Sequence, residues 1–392
     1  MPRFVRGLTE VGAEVIGAGE GPAEALPPGL RRLLSGWVQI PSWSDEPACV
    51  QAILQALGGA RIDRVESLWE PTVLLAARVR QALGLPGMDH DTVLGFRDKQ
   101  LMKERAAAAG ARVPRSARCR GAEEIRRAAQ EIGYPLVGKP IAGAGTASTW
   151  ACQDEAELES HMAEWQHVAE LSVEEFIVGD EHTYDALCID GQPVLESVTR
   201  YLPPPLVARN EEWVSPAQIT YRNPHIGPLL PGVALGRRVC QALGMQTGIV
   251  HMEWFRTATG EAVLGEIACR PGGSKLMDQW NWAQEIDIYR EWARAVCWSA
   301  CEAAPRKAWH VGVVFKRARG QGRIKAIHGM ERLRADLGSA IVEEALSPVG
   351  TPRRDWKQTL LSDGWVAVRD PDHDNCRTMI DRVVRELQLD AG

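Results

Sequence analysis

Along residues 1–95 the apolar positions switch between helical spacing and short continuous runs. FVRGLTEVG reads as a helix and leads into a short strand, AEVIGAG. RIDRVESLW reads as a second strand, passing through Glu70-Pro71 into the helix TVLLAARVRQALG. Pro71 suits a first helical turn, where its missing N–H costs nothing, and Gly84 suits the position just past the last turn. Strand–helix alternation predicts an open α/β domain with a parallel sheet. A strand usually opens such a unit, so the opening helix suggests a start set too late.

From Phe96 onward the pattern becomes α+β. Asp98 is placed to cap the helix KQLMKERAAAAG, and AEEIRRAAQEIG sets Ile125, Ala128, Ala129 and Ile132 at helical spacing. PLVGKPI reads as a strand running into AGAGTAST, and Asp154 with Glu157 forms a capping box for ELESHMAEWQHVAE. SVEEFIV is a further strand. TYDALCID and QPVLESV flank Asp190-Gly191, a two-residue hairpin turn. After Pro203–Pro205 come the helix PGVALGRRVCQALG and two strands, GIVHMEWFR and EAVLGEIAC, joined through Thr257–Gly260. Beyond about residue 300 there are short strands (HVGVVFKR, GRIKAIHG, WVAVRD) and a final helix. The expected division is an α/β domain at 1–95, a central α+β domain at 96–300, and a small α+β piece at 301–392.

Composition narrows the function. The chain has 392 residues, 45% hydrophobic and 24% charged, with a net charge of −6. An acidic balance argues against a nucleic-acid partner, which asks for a basic field. No apolar run is long enough to span a bilayer, and the N-terminus lacks a signal-peptide profile, so a cytoplasmic protein is expected. The nine cysteines are scattered and read as buried reduced thiols rather than a zinc site. Four of the 14 tryptophans, Trp280, Trp282, Trp292 and Trp298, cluster as either core packing or an aromatic wall beside a substrate.

Three features carry chemistry. Side chains alternate faces along a strand, so His251, Glu253 and Phe255 share one face, and Glu266, Ala268 and Arg270 share another. An even loop centred on Thr259-Gly260 sets Glu253 directly opposite Glu266. Two like charges so placed are destabilising without a cation between them, and Mg²⁺ is commonly held by one or two carboxylates plus phosphate oxygens. The second feature is Lys139 on an apolar strand, followed by Gly143-Ala144-Gly145-Thr146. Small residues let backbone N–H groups close on phosphate oxygens, though neither GxxxxGK[ST] nor GxGxxG is present. The third is Glu174-Glu175-Phe176-Ile177 with the turn glutamate Glu181, an edge that suits an adenine base and a ribose.

Taken in order, FRDKQLMKE, YPLVGKPIAGAGT, VEEFIVGDEHTYDAL, GIVHMEWFRTATGE and GEIACRPGG resemble the ATP-grasp superfamily over roughly Phe96 to Gly273. The resemblance implies two α+β subdomains that clamp ATP, with 110–178 as the clamping subdomain. It implies that Lys99 and Lys139 hold the phosphates under a loop from Gly143 to Ser148. Glu174, Glu175, Phe176 and Ile177 would line the adenine, Glu181 would bind ribose, and Glu253 and Glu266 would hold Mg²⁺. Arg270 would bind the carboxylate being activated or its acyl phosphate, with Gly272 and Gly273 allowing close approach. His251 faces the site, and Arg200 is the leading extra ligand for a substrate phosphate or carboxylate. Ala268 departs from the family, where many members carry Asn at that place; one metal would lose an amide ligand. The implied activity is an ADP-forming ligase joining a small-molecule carboxylate to an amine, most like ligases of amino acids, and dimers are common among such families. A carboxylase or purine-pathway ligase, or a nucleotide-binding protein without catalysis, are the alternatives; the biotinyl motif AMKM is absent.

Overall fold

The computed structural model describes residues 2–141, 149–165, 167–359 and 361–392. Its backbone is a mixed α/β architecture built on an eight-stranded sheet. In spatial order the strands are Ala262–Ala268, Gly248–Arg256, Asp180–Ile189, Gln192–Leu202, Ala217–Thr220, His310–Phe315, Gly364–Asp370 and Ile341–Leu346. The last three come from beyond residue 300, so the end of the chain continues the central sheet rather than folding away from it. A second, antiparallel sheet runs Ser116–Cys119, Leu171–Glu175, Leu136–Pro140, Trp150–Cys152. The helices Ala122–Ile132 and Glu155–Trp165 cover one of its faces.

Local chemistry sets many of the element ends. Asp98 accepts hydrogen bonds from the Gln100 and Leu101 amides at 3.0 Å and caps Lys99–Ala108. Asp154 accepts from Glu157 N, while the Glu157 carboxylate reaches back to Gln153 N at 2.8 Å. Asp190 and Gly191 both take positive φ, which closes the hairpin between Asp180–Ile189 and Gln192–Leu202 with the strand twist preserved. Ile125, Ala128, Ala129 and Ile132 are all buried.

The N-terminal unit is smaller than its pattern suggests. Among the described residues only Ile16–Gly19 and Gly36–Gln39 pair there, in parallel, and the segment RIDRVESLW joins no ladder. Its backbone is held by side chains instead: Arg80 donates to Val65 O at 2.7 Å, and Arg64 donates to Val296 O at 2.9 Å. Gly17 and Gly19 are not a phosphate loop. A Cβ at either would strike the Trp37 ring within 2.8 Å, so they are small because an indole lies on them.

Trp280 and Trp292 lie in the core with Phe4 and Tyr289, so packing, not a substrate wall, accounts for them, and Trp298 is exposed. Six of the nine cysteines are buried and the other three partly so; none is in a disulfide.

The helix Leu230–Ala242 packs on the far face of the central sheet through two glycines. A Cβ at Gly232 would lie 2.1 Å from the Trp254 ring, and one at Gly236 would lie 2.3 Å from the Tyr184 ring. Both rings are fully buried, so neither can move aside. The substitution Gly236→Ala is therefore expected to destabilise the protein by about 1–3 kcal/mol through overpacking. A thermal unfolding midpoint equal to wild type would show that the helix can retreat at no cost.

Candidate functional site

The hairpin near residue 260 carries the site. Next to the turn, Arg256 pairs with Ala262, Phe255 with Val263 and Trp254 with Leu264. The loop is therefore odd, not even. Continued without interruption, that register would set Glu266 against Met252, on the buried face. A bulge at Gly265 adds one residue, and beyond it Glu253 pairs with Glu266, Met252 with Ile267 and His251 with Ala268. Bulges re-aim side chains in this way beside active sites. Gly265 is required there, because a Cβ would sit 2.9 Å from Glu253 O.

Strand pairing then assigns the faces. Glu253 lies beside Thr183, His251 beside Asp185 and Phe255 beside Glu181. These residues share the face that looks toward the smaller sheet. Across from it, Val137 pairs with Glu174 and Lys139 with Ser172 on the smaller sheet's uncovered face. Between the two lies a cleft of about 270 Å³, lined among others by Lys99, Lys139, Glu174, Glu181, Glu253 and Glu266. Phe176, Ile177, Val178, Leu206 and Val207 give it an apolar wall. The Glu175 and Phe176 amides are already bonded to Arg115 O and Pro135 O.

Charge in the cleft is balanced in pairs. Glu174 bonds Lys103 at 2.5 Å and Lys139 at 2.9 Å, and Lys99 lies 3.2 Å from Glu266. Burial pushes the Glu174 carboxyl up, but the two ammoniums outweigh it and hold it at about 2. Burial pulls Lys103 down to about 8, with Glu174 opposing and the neighbouring lysines assisting. Burial raises the Glu266 carboxyl, while Lys99 and Lys139 bring it down overall. Glu181 is different: burial and then the Glu253 charge push it well up. Glu253 accepts a hydrogen bond from Tyr201 Oη at 3.2 Å and lies 3.7 Å from His251 Nε2. His251 Nδ1 sits 2.8 Å from Asp185 Oδ1. Burial lowers His251, but the Asp185 carboxylate raises it to about 9.

Other expected residues fall less simply. Arg200 lies one position from Tyr201 and so on the opposite sheet face, where it bonds Asp180 at 2.5 Å. It is not brought to the cleft; Tyr201 is. Arg270 is near, but its Nε is paired with Glu70, which also bonds Arg97 at 2.5 Å. Arg270 Nη1 donates to Pro271 O at 2.8 Å, which leaves Nη2 without a partner among the described residues. Gly272 is needed for packing: a Cβ would lie 2.8 Å from His251 Nδ1 and 3.0 Å from Asp185 Oδ1. A Cβ on Gly273 would meet nothing. Gly143, Ala144, Gly145 and Thr146 lie outside the described residues.

Sequence reasoning missed Lys103, Glu70 and Asp185, and placed Tyr201 only as one of several residues of 200–230 shaping an acceptor pocket. Lys103 was legible: it lies one helical turn after Lys99, on the same face. Asp185 and Tyr201 follow from strand alternation once Glu253 is placed. Glu70 has no local signal, because its partners are 27 and 200 residues away.

Comparisons with known proteins agree with this geometry. Residues 98–184 match the family "Carbamoyl-phosphate synthase L chain, ATP binding domain". The chain superposes on the crystal structure of an L-amino acid ligase from Bacillus licheniformis with a TM-score of 0.80, at 20% identity, covering 99% of this chain and 95% of that one. It superposes on the ADP complex of purK, an N5-carboxyaminoimidazole ribonucleotide synthetase, with a TM-score of 0.71, at 16% identity over 97% and 93% of the two chains. The chain has the ATP-grasp fold. It is also 26% identical over 255 residues to an L-arginine-specific L-amino acid ligase of Bacillus subtilis. That alignment covers 61% of the present chain and 61% of the ligase, so the chain spans about three-fifths of that relative's length.

The Lys103–Glu174–Lys139 cluster makes a testable stability claim. Glu174 titrates at about 2 when folded against an ordinary value of 4.5. Its contribution is thus full above about pH 4.5 and is lost as pH falls from there toward 2. Glu174→Gln should remove this part of the acid dependence and cost about 3–5 kcal/mol at neutral pH, since two buried ammoniums lose their counter-charge. Parallel unfolding curves of wild type and variant between pH 2 and 7 check it; curves that stay equally spaced would refute it.

Proposed function

We propose that the protein is an ADP-forming ligase that activates a substrate carboxylate with ATP and joins it to an amine. The observation that carries this reading is the bulge-set opposition of Glu253 and Glu266, faced by Lys99 and Lys139 in a cleft with an apolar wall. The ATP-binding domain match and the amino acid ligase relatives support it.

In this reading the adenine rests against Phe176, Ile177 and Val178, and Ile177 N–H, unbonded among the described residues, reads a ring nitrogen. Glu181 takes the ribose hydroxyls. Lys99 and Lys139 hold phosphate oxygens, and Glu174 with Lys103 keeps the Lys139 ammonium aimed at them. Glu253 and Glu266 would hold Mg²⁺. The fit is chemical: two opposed carboxylates supply the hard oxygen donors that Mg²⁺ prefers. When bound, Mg²⁺ neutralises charge on the phosphate oxygens. Ala268 offers no ligand, so the second position of a metal pair would rely on water.

Arg270, oriented by Glu70, holds the carboxylate through its unused Nη2. The γ-phosphoryl group passes to that carboxylate, giving an acyl phosphate and ADP. An amine then attacks the acyl carbon and phosphate leaves, so the products are an amide, ADP and phosphate. The chain's contribution is positioning and charge neutralisation, with little covalent chemistry of its own. His251, fixed by Asp185, orients Glu253. The substrates are small molecules, most simply amino acids. Among the described residues no helix is long and apolar enough to cross a membrane, which is compatible with the cytoplasmic setting proposed here.

The test is ADP release from MgATP with amino acids supplied singly and in pairs. Release that requires a carboxylate and an amine together is expected. Glu266→Gln should lower kcat by about 10²–10³ or more, because charge stabilisation at the transferring group is lost. Tight nucleotide binding with no release from any pair would reduce the function to nucleotide binding.

A further inference from the structure

We infer that Glu212, Arg317 and Arg353 are positioning residues for the nucleotide: they tie the segment carrying Leu206 and Val207, part of the apolar wall of the cleft, to the C-terminal part of the chain. The inference rests on the reading of the cleft as an ATP site and goes beyond it. It adds residues outside the cleft that set how firmly the base is held.

The segment spans 203–214, between the strands Gln192–Leu202 and Ala217–Thr220. Its one regular element is the short helix Pro205–Asn210. A helix of this length is not stable by itself. Pro204, Leu206 and Val207 line the cleft, together with Phe176, Ile177 and Val178. Of the helix residues only Ala208 is buried, and Val207 is 46% exposed. The hydrophobic core therefore supplies little to hold this stretch of wall in place. Inside the segment, Ala208 N donates to Pro204 O at 3.2 Å and Glu211 N to Val207 O at 3.1 Å. These bonds shape the segment but do not attach it to anything.

Attachment comes from the far end of the chain. Arg317 Nη1 donates to Glu211 O at 2.8 Å, and its guanidinium lies over the Trp356 ring, 4.7 Å from the centroid. Arg353 Nη2 donates to the Glu212 carboxylate, and Arg209 donates to Lys357 O at 3.3 Å. Arg317 and Arg353 are themselves well anchored. Asp363, 1% exposed, accepts from Ala318 N and from Arg354 N, each at 2.8 Å, so it holds the residues next to the two arginines side by side. Arg317 also follows closely on the central strand His310–Phe315. The segment is thus pinned to the C-terminal strands of the large sheet, and the pins are polar.

Glu212 is the critical member of the set. Burial pulls the Arg317 guanidinium down to about 10; Glu212 opposes that fall, while Arg353 and Arg209 add to it. Three guanidiniums thus gather around one carboxylate. Without that carboxylate they repel one another, and the bond from Arg353 to the segment is lost. The effect reaches the cleft because Glu212 lies little more than one helical turn along the chain from Val207. A wall that draws back by even about 1 Å forfeits a quarter to a half of its dispersion contact with an aromatic base. The phosphates are held elsewhere, by Lys99 and Lys139 in the reading above, so the loss falls on the base.

The experiment is calorimetric titration of ADP, with Mg²⁺ present, into wild type, Glu212→Gln, Arg317→Met and Arg317→Lys. Inorganic tripolyphosphate is measured by its competition with ADP. Kd for ADP is expected to rise about tenfold or more in Glu212→Gln and Arg317→Met, the scale of losing an apolar side-chain contact. Tripolyphosphate, which has no base, should shift far less. Arg317→Lys keeps a cation able to donate to the same carbonyl and should recover most of the loss. ADP affinity equal to wild type in both Glu212→Gln and Arg317→Met would overturn the inference and leave the ATP site intact. Equal weakening of ADP and tripolyphosphate would overturn it too, since a general loosening of the fold acts on both. If wild type binds no ADP, the ATP reading falls, and the inference falls with it.

Discussion

Glu253 stands opposite Glu266 because a single extra residue, Gly265, is bulged out of the ladder between them and the turn. Like charges directly opposed on a sheet repel, and a bulge interrupts the regular ladder. The surroundings of the cleft can be read as a response to those two costs. Lys99 sits on Glu266, Tyr201 and His251 approach Glu253, and Asp185 stands behind His251. Deeper in, Lys103 and Lys139 share Glu174. Lys99, Lys103 and Lys139 stand among these glutamates, and the Glu181 carboxyl is driven up first by burial and then by Glu253.

The order of motifs exposed the fold more reliably than any one motif did. Period and capping located the helices at Lys99–Ala108 and Ala122–Ile132, because their determinants lie within a few residues. The opposition of Glu253 and Glu266 was anticipated from an even loop, and it is real, but its cause is an odd loop corrected by a bulge. Counting from a turn cannot detect a bulge; a glycine inside a strand pattern is the only hint, and Gly265 was that hint. Arg200 shows the converse weakness. Chosen for its charge, it fails on alternation, since Tyr201 beside it is the residue that faces the carboxylates. Contacts such as Glu70 with Arg270 have no periodic signature at all, because they are made between units that the chain brings together from far apart.

Packing on the far face explains why the near face can hold so many charges. Gly232 and Gly236 let a helix lie directly on Trp254 and Tyr184, and the strands carrying those rings are the same ones that carry Glu253, Thr183 and Asp185 on the other side. Because successive side chains point to opposite faces, locking one set of rings fixes the other set of polar groups. A one-residue slip would bury glutamates under a helix and expose tryptophan, a penalty far larger than the repulsion it would relieve. The apolar face thereby holds the charged face in register.

The N-terminal unit is tied to the central sheet through Arg270, which follows one of that sheet's strands. Its sheet has two strands, too few to form a substantial core alone. It is fastened to the rest by apolar packing of Phe4 on Tyr289 and Trp292 and by polar contacts: Glu70 between Arg97 and Arg270, Arg64 on Val296 O, and Arg6 on Asp287. Arg270 is held by Glu70 through Nε and by Pro271 O through Nη1, so its remaining nitrogen has one direction in which to act. Without Glu70 the guanidinium would be left to Glu266, whose charge already acts on it. That pairing would neutralise the charge arrangement on which the hairpin depends. The turn at Glu70–Thr72 therefore does two things at once: it anchors a small domain, and it keeps a cation from collapsing onto the carboxylates.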